Sequence, residues 1–236
     1  MSLQYDLHTH ILPGIDDGAN TVEESLALIE SLKREGVHNI CFTPHFYTHK
    51  EDIKDFLRRR NEAFRELKPY LPDDVNVKLG AEVYVTRYLF SEERDFTPLC
   101  IEGTPYMITE FSYQSTFSEN TLRMISRIRD FGIIPILPHV ERYPALLKKK
   151  SPIHELASMG VIIQSNASSF VSSSNKRKLI NLAKMGYIDV LSTDAHSLTR
   201  NSPANITPCL EIIKKKCGEG LIRVFNENAE SVFKGL

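Results

Sequence analysis

Four times along this chain an amphipathic stretch stops at a glycine and a β-rich apolar run follows, and this repeated unit restricts the possible folds most. In residues 22–35, Val22, Leu26, Ile29 and Leu32 recur at helical spacing with Leu28 alongside, and Gly36 ends the pattern. Residues 120–131, 151–159 and 175–185 end the same way at Gly132, Gly160 and Gly186. Predicted strands cover residues 4–8, 39–43, 75–83, 106–110, 133–139, 161–166 and 187–193. Helices alternating with such runs imply a parallel sheet with right-handed crossovers. Polar groups stand at or just beyond every strand end: His8 and His10, His45, Glu82, Glu110, His139, Asn166, and Asp194 with His196. An open doubly wound sheet gathers its site at one switch point, whereas a barrel turns all its strand ends to one mouth. The pattern therefore predicts an α/β chain closed into a seven-stranded (β/α) barrel. No Gly/Ser/Pro-rich linker interrupts it, so a single domain is expected over residues 1–236.

Lysines and arginines number 29 against 30 acidic residues, a net charge of -1, which leaves no electrostatic footprint for nucleic acid or an anionic membrane. The basic runs at residues 58–60, 148–150 and 214–216 have acids nearby and read as solvated helix faces. Without a secretory signal or an apolar run long enough to span a bilayer, a cytoplasmic protein is expected. Cys41, Cys100, Cys209 and Cys217 lack metal-type spacing and read as reduced, mostly buried thiols.

His8 and His10, two apart on a strand, point the same way, as ligands of a shared metal must. Asp16 and Asp17 in the following turn both offer hard oxygen donors. Glu82 and Glu110 each end an apolar run, and buried carboxylates crowded at one mouth repel unless cations neutralise them. With His45, His139, Asp194 and His196 they form a mixed imidazole and carboxylate set that suits Mn, Fe or Zn better than Ca or Mg. A lone histidine at a strand end is ordinarily a satisfied polar residue; nine ligand-type residues at corresponding ends point to a multinuclear metal site. His38 and His154 belong to the far side and read as surface residues, while His49 follows the second strand's loop.

The motifs "DLHTHILPGIDDGA", "TPH", "GAE", "PHVER" and "DAH" resemble those of the PHP (polymerase and histidinol phosphatase) superfamily. More specifically, through "LPGIDDGA", the chain resembles the bacterial metal-dependent tyrosine-protein phosphatases of the capsule and exopolysaccharide (CpsB/CapC-like) type. The resemblance runs from the first strand to past His196. It implies a distorted, TIM-like barrel with a site for two to three ions, manganese first and iron or zinc as alternatives. It also implies that His8, His10, Glu82 and Asp194 hold one ion, that Glu82 bridges to a second held by Glu110 and His139, and that Asp17, His45 and His196 hold the third. Asp17 is preferred to Asp16 because the family uses the second acid of the pair. Asp6 is expected to orient an imidazole N–H, and Asn166 to cap the next helix.

A phosphomonoester is dianionic, so its hydrolysis needs an activated oxygen nucleophile and neutralised phosphate oxygens. Direct attack by metal-bound hydroxide is expected, with Arg142 clamping the phosphate and Arg200 as a second catalytic arginine. Arg200 lies four residues beyond His196, where the family places its arginine five beyond. The expected partner is a phosphotyrosine-bearing protein, the tail of a bacterial tyrosine kinase controlling polysaccharide synthesis, with Phe46, Tyr47 and Tyr143 available to stack on its ring. The alternative is a small-molecule phosphatase acting on a substrate such as histidinol phosphate. Cys217 to Arg223 fits the bare Cys-x5-Arg spacing of cysteine-dependent phosphatases, but no histidine precedes it, and chance is the better account. A purely structural PHP role predicts eroded ligands, and no motif position is missing here.

Overall fold

The computed structural model describes residues 2–90 and 95–236; the rest of the single domain expected over 1–236 lies outside the described residues. Among the described residues nine short strands occur: β1 (Tyr5–Thr9), β2 (Asn39–Phe42), β3 (His45–Tyr47), β4 (Asn76–Leu79), β5 (Glu82–Tyr84), β6 (Tyr106–Glu110), β7 (Ile134–Leu137), β8 (Ile162–Asn166) and β9 (Val190–Ser192). Strand pairing is parallel throughout, in the orders β1-β2-β4 and β3-β5-β6-β7-β8-β9.

Two barrel strands are broken in the middle, which is the distortion. β2 and β3 are halves of one strand interrupted at Thr43 and Pro44, and β4 and β5 are halves of another interrupted at Gly80 and Ala81. Bonds from Gly80 N–H to Phe42 O (2.9 Å) and from Glu82 N–H to Pro44 O (3.0 Å) carry the pairing across both breaks. The strand expected over 75–83 is thus corrected, and Glu82 opens β5 instead of closing a strand. Close approach explains the glycine, because a Cβ at Gly80 would stand 3.2 Å from Thr43 Cγ2. The remaining edges, β1 and β9, are joined by His8 O accepting from Asp194 N–H and Ala195 O accepting from His10 N–H, each at 2.9 Å. The nine segments thus occupy seven barrel positions, in agreement with the expected architecture.

The helices are α1 (Val22–Arg34), α2 (Ile53–Leu67), α3 (Glu119–Asp130), α4 (Ile153–Ser158), α5 (Ala167–Ser172), α6 (Lys176–Lys184), α7 (Ile206–Cys217) and α8 (Glu219–Lys234). Gly36, Gly132, Gly160 and Gly186 follow α1, α3, α4 and α6 at φ between +70° and +91°, where a side chain would be strained. Sequence patterning set no bounds for α2 and α7, which the basic runs at residues 58–60 and 214–216 implied only as helices, and left α8 unassigned. Two of the three basic runs differ from expectation. Lys148–Lys150 sits in a loop, and Arg60 is buried on α2, where its Nη1 donates to Gly80 O (3.0 Å) and Pro98 O (2.9 Å). Burial lowers the Arg60 pKa to about 10. Arg60 thereby holds the carbonyl at the break between β4 and β5.

Leu7, Cys41, Ile108, Ile136 and Val190, from five different strands, pack in one apolar cluster with Ala229, Val232 and Phe233 of α8. The two-residue strand period carries this interior face upward from Cys41 to His45, from Ile108 to Glu110, and from Val190 to Asp194. β1 needs a device to do the same. Asp6 pairs with Ile40 but Thr9 with Phe42, so β1 spends one extra residue in a bulge. Leu7 can then join the apolar cluster while the even-numbered His8 and His10 face the mouth.

Candidate metal centre

Above the apolar cluster the sequence-expected residues converge. His8 Nε2 lies 3.2 Å from His10 Nε2, and both stand 3.4 Å from Glu82 Oε2. Asp194 Oδ1 is 3.6 Å from His8 Nε2 and 3.2 Å from His10 Nε2. Glu82 also reaches His139 Nε2 through Oε1 and His45 Nδ1 through Oε2, each at 2.8 Å. Glu110 Oε1 approaches His139 Nε2 at 3.7 Å. Asp17 Oδ1 stands 3.4 Å from both His45 Nε2 and His196 Nε2. Donor atoms fall within 4.8 Å of one another in three overlapping groups: His8, His10 and Glu82; His45, Glu82 and Glu110; and His10, Asp17, His45 and His196. All nine residues are thus brought together, with Glu82 shared between groups.

The donor set fits metal ions on an observation of its own. His45 Nδ1, Glu82 Oε2, His139 Nδ1, Asp194 Oδ1 and His196 Nε2 are buried and make no well-directed hydrogen bond, although His45 Nδ1 and Glu82 Oε2 lie 2.8 Å apart. Orphaned buried groups are expensive, and four of these five point into one cluster, where cations would satisfy them. Protonation partly substitutes. Burial opposes charge on His10, yet Asp16, Asp194 and Glu82 raise its pKa well above the ordinary value. His45 is raised to about 9 against burial by Asp17 and Glu82. Burial also opposes ionisation of Glu82, but the imidazoles prevail and hold it low. Glu110 is raised by burial and by Glu82. His196, lowered to about 4 by burial and by His10, keeps a free lone pair.

The surrounding supports correct several expectations. Asp6 touches no imidazole: it accepts from the backbone N–H of His8 (3.3 Å) and Thr193 (3.1 Å), fixing the two chain segments. The imidazole partners are Asp16 Oδ2 for His10 Nδ1 (2.7 Å), Gln164 Oε1 for His8 Nδ1 (3.3 Å), and the Asp194 carbonyl for His196 Nδ1 (2.7 Å). Asn166 precedes α5, but its side chain does not cap it; instead Nδ2 donates to Asp194 Oδ2 at 2.9 Å, as does Asn201. Sequence reasoning missed Gln164, although Ile162, Gln164 and Asn166 share a strand face, and polar residues two apart above an interior isoleucine were the available signal.

Arg142 and Arg200 both reach the site, through carboxylates. Arg142 Nη2 donates to Asp194 Oδ2 and Nη1 to the Tyr113 hydroxyl (3.2 Å), which in turn donates to Glu110. Arg200 Nη1 donates to Asp17 Oδ2 at 2.6 Å. A cavity of about 420 Å³ opens beside Asp17, His196 and Arg200. Of the aromatic candidates Tyr47 borders the mouth, its ring 5.4 Å from that of His45, while Tyr143 stacks behind His139 at 6.2 Å. Phe46 is buried against Phe56, and Tyr143 is buried with its hydroxyl bound to the Phe111 backbone, so these two are packing residues. His38 is half-buried and His154 exposed; His49 is exposed beside Tyr47 and Tyr84. Cys217 ends α7 and Arg223 lies in α8 near Glu227 (3.8 Å), so the Cys-x5-Arg segment forms a helix junction.

Residues 4–234 match the family described as capsular polysaccharide synthesis, CpsB/CapC. The chain is 29% identical over 248 residues to the tyrosine-protein phosphatase CpsB of Streptococcus agalactiae serotype V, covering 97% of this chain and 98% of that protein. It is 30% identical over 228 residues to the Streptococcus pneumoniae protein of the same name, covering 90% of each. Its fold matches a chain from the crystal structures of YwqE from Bacillus subtilis and CpsB from S. pneumoniae, described as metal-dependent tyrosine phosphatases. That match has a TM-score of 0.83 at 22% identity and covers 98% of this chain and 95% of that one.

Proposed function

The chain belongs to the CpsB/CapC family of capsular polysaccharide synthesis, and from that premise we propose that it is a metal-dependent protein-tyrosine phosphatase using the nine-residue centre. The observation that carries the reading is the set of buried donor atoms without a well-directed hydrogen bond, Glu82 Oε2, Asp194 Oδ1 and His196 Nε2 among them, inside one imidazole and carboxylate cluster. His8, His10, Glu82 and Asp194 would hold one ion, Glu82, Glu110 and His139 a second, and Asp17, His45 and His196 a third. Manganese is the first choice, with iron or zinc as alternatives. Bound ions would lower the pKa of water and neutralise the phosphate oxygens.

The chain's own residues supply orientation. Asp16 and Gln164 set the ring planes of His10 and His8, and Asn166, Asn201 and Arg142 converge on Asp194 Oδ2, leaving Oδ1 turned to the centre. Tyr113 and Asp194 anchor Arg142 at the rim, where its remaining N–H groups clamp the phosphate. Arg200 exchanges its bond to Asp17 for one to substrate. The enzyme is cytoplasmic in this reading, and its substrate is the tyrosine-bearing tail of a bacterial kinase. No described helix is long and apolar enough to cross a membrane.

Metal analysis combined with phosphotyrosyl, phosphoseryl and histidinol phosphate substrates tests the reading. Two to three transition-metal ions per chain and at least a tenfold preference for the phosphotyrosyl peptide are expected, about 1.4 kcal/mol in transition-state binding. Full activity without metal would overturn the metal mechanism, and a tenfold preference for histidinol phosphate would overturn the substrate class.

A further inference from the structure

Two strand rungs cross the mouth beside the metal centre. The lower aligns His45 of β3 with Glu82 of β5. The upper aligns Tyr47 with Tyr84, and Tyr84 in turn with Glu110 of β6. Because strand side chains repeat every two residues, Tyr47 and Tyr84 stand on the same face as His45 and Glu82, roughly 6.6 Å further along the strands. The two rings are 5.9 Å apart, and His49 closes a triangle with them at 6.1 and 6.2 Å. Lys50 Nζ lies 4.0 Å from the Tyr47 ring centre. Both tyrosines are half-buried, so the ring pair stands above His45 and Glu82, on the rung that Tyr84 shares with Glu110, and still meets solvent.

We propose that Tyr47 and Tyr84, with His49 at their edge, form a subsite for the aryl group of an aryl phosphate monoester. The proposal rests on the phosphatase reading above. A phosphate drawn onto the ligand layer must send its ester oxygen and leaving group outward, and the next layer it meets on this side is aromatic. The spacing between layers is comparable to a phenyl ring with its ester oxygen. A phosphotyrosine therefore places its ring at the level of Tyr47 and Tyr84 and its main chain above them. A phosphoserine places its main chain at that level, against the rings. Edge-to-face contact and the nearby Lys50 both suit an aromatic leaving group.

The test measures kcat/KM of the metal-loaded wild type, Tyr47→Leu, Tyr84→Leu and the double variant on a phosphotyrosyl peptide and on the phosphoseryl peptide of the same sequence. Inhibition by inorganic phosphate and metal content are measured on each. In the double variant the phosphotyrosyl-to-phosphoseryl ratio is expected to fall about tenfold, largely through KM, with phosphate inhibition and metal content retained. Each single variant should lose part of that ratio, which keeps the test decisive if the double variant folds poorly. An unchanged ratio in the variants would overturn the subsite while leaving the phosphatase reading intact. An equal loss on both peptides would also overturn it, since the rings would then serve catalysis generally. A wild type without aryl preference would instead overturn the substrate class on which the proposal rests.

Discussion

The two ends of the barrel interior are made by the same strands, yet they are stabilised in opposite ways. At the floor, Leu7, Cys41, Ile108, Ile136 and Val190 meet Val232 and Phe233 of α8, and burial of apolar surface suffices. At the mouth the same strands continue into His8, His45, Glu110, His139 and Asp194, a mostly buried polar cluster in which several donor atoms lack a well-directed hydrogen bond. Two non-glycine residues there, His139 and Asp194, adopt left-handed backbone at φ 36° and 57°, a conformation that costs about 1 kcal/mol or more each. The floor therefore supports a mouth that is poorly stable by itself, and substitutions at the two ends should separate activity from stability.

The largest effect should come from Glu82→Gln. Removing the shared carboxylate charge should lower kcat/KM by about a thousandfold or more and reduce metal content by at least one ion per chain. Manganese at about a hundred times its Kd should stabilise the wild type by about 2.7 kcal/mol per site, and the variant by less. Metal analysis and thermal melts with and without chelator measure both, and a variant with wild-type metal and rate would remove Glu82 from the centre.

Ile136→Ala at the floor should do the reverse. Truncating a fully buried isoleucine should cost about 2–5 kcal/mol of unfolding free energy in urea, with kcat at low temperature within a few-fold of wild type. A thousandfold loss of kcat in a folded Ile136→Ala protein would break the separation between the two ends.

Arg60 sits between the two regions, at the break that delivers Glu82 to the mouth. Arg60→Ala leaves the Gly80 and Pro98 carbonyls without their buried donor and should cost about 2–3 kcal/mol. Arg58→Ala, two residues earlier on the exposed face, should change stability by less than about 0.5 kcal/mol. Equal effects in denaturant melts would mean that Arg60 is no anchor.

Arg60 also marks where the sequence stopped being legible. Three consecutive arginines read as one solvated face, but a helix turns 100° per residue and points them to different surroundings. The candidate ligands other than Asp17 were legible because each stands at or just beyond the end of a predicted strand, where barrel topology forces convergence; Asp17, in the turn after β1, was singled out by the family resemblance. β3 and the break before Glu82 were hidden because a kinked strand keeps an apolar pattern across its kink. The role of Asp16 was hidden because two adjacent acids look alike until geometry gives one to His10 Nδ1 and the other to the His45 and His196 side. Tyr84 was hidden because its partner is set by the register between β3 and β5, which no local pattern encodes.

The smallest predicted effect tests whether the lower barrel carries any charge strain of its own. Asp189, just before β9, accepts a bond from Ile163 N–H at 2.7 Å, and burial raises its carboxyl pKa above the ordinary 3.8 although that bond opposes the rise. A raised folded-state pKa means that the native protein binds more protons than the unfolded chain between the two values. Stability contributed by this group is therefore present at low pH and lost as pH rises from the unfolded value through the folded one. Asp189→Asn keeps an oxygen for Ile163 N–H and removes the ionisation. It should be more stable than wild type at pH 7 by less than about 1 kcal/mol, and the difference should shrink as pH falls towards 4. Urea melts of both proteins at pH 4 and pH 7, with metal removed throughout, measure it. A variant less stable than wild type at pH 7 would show that the ionised carboxylate is the better acceptor and that the floor, unlike the mouth, gains from its charge.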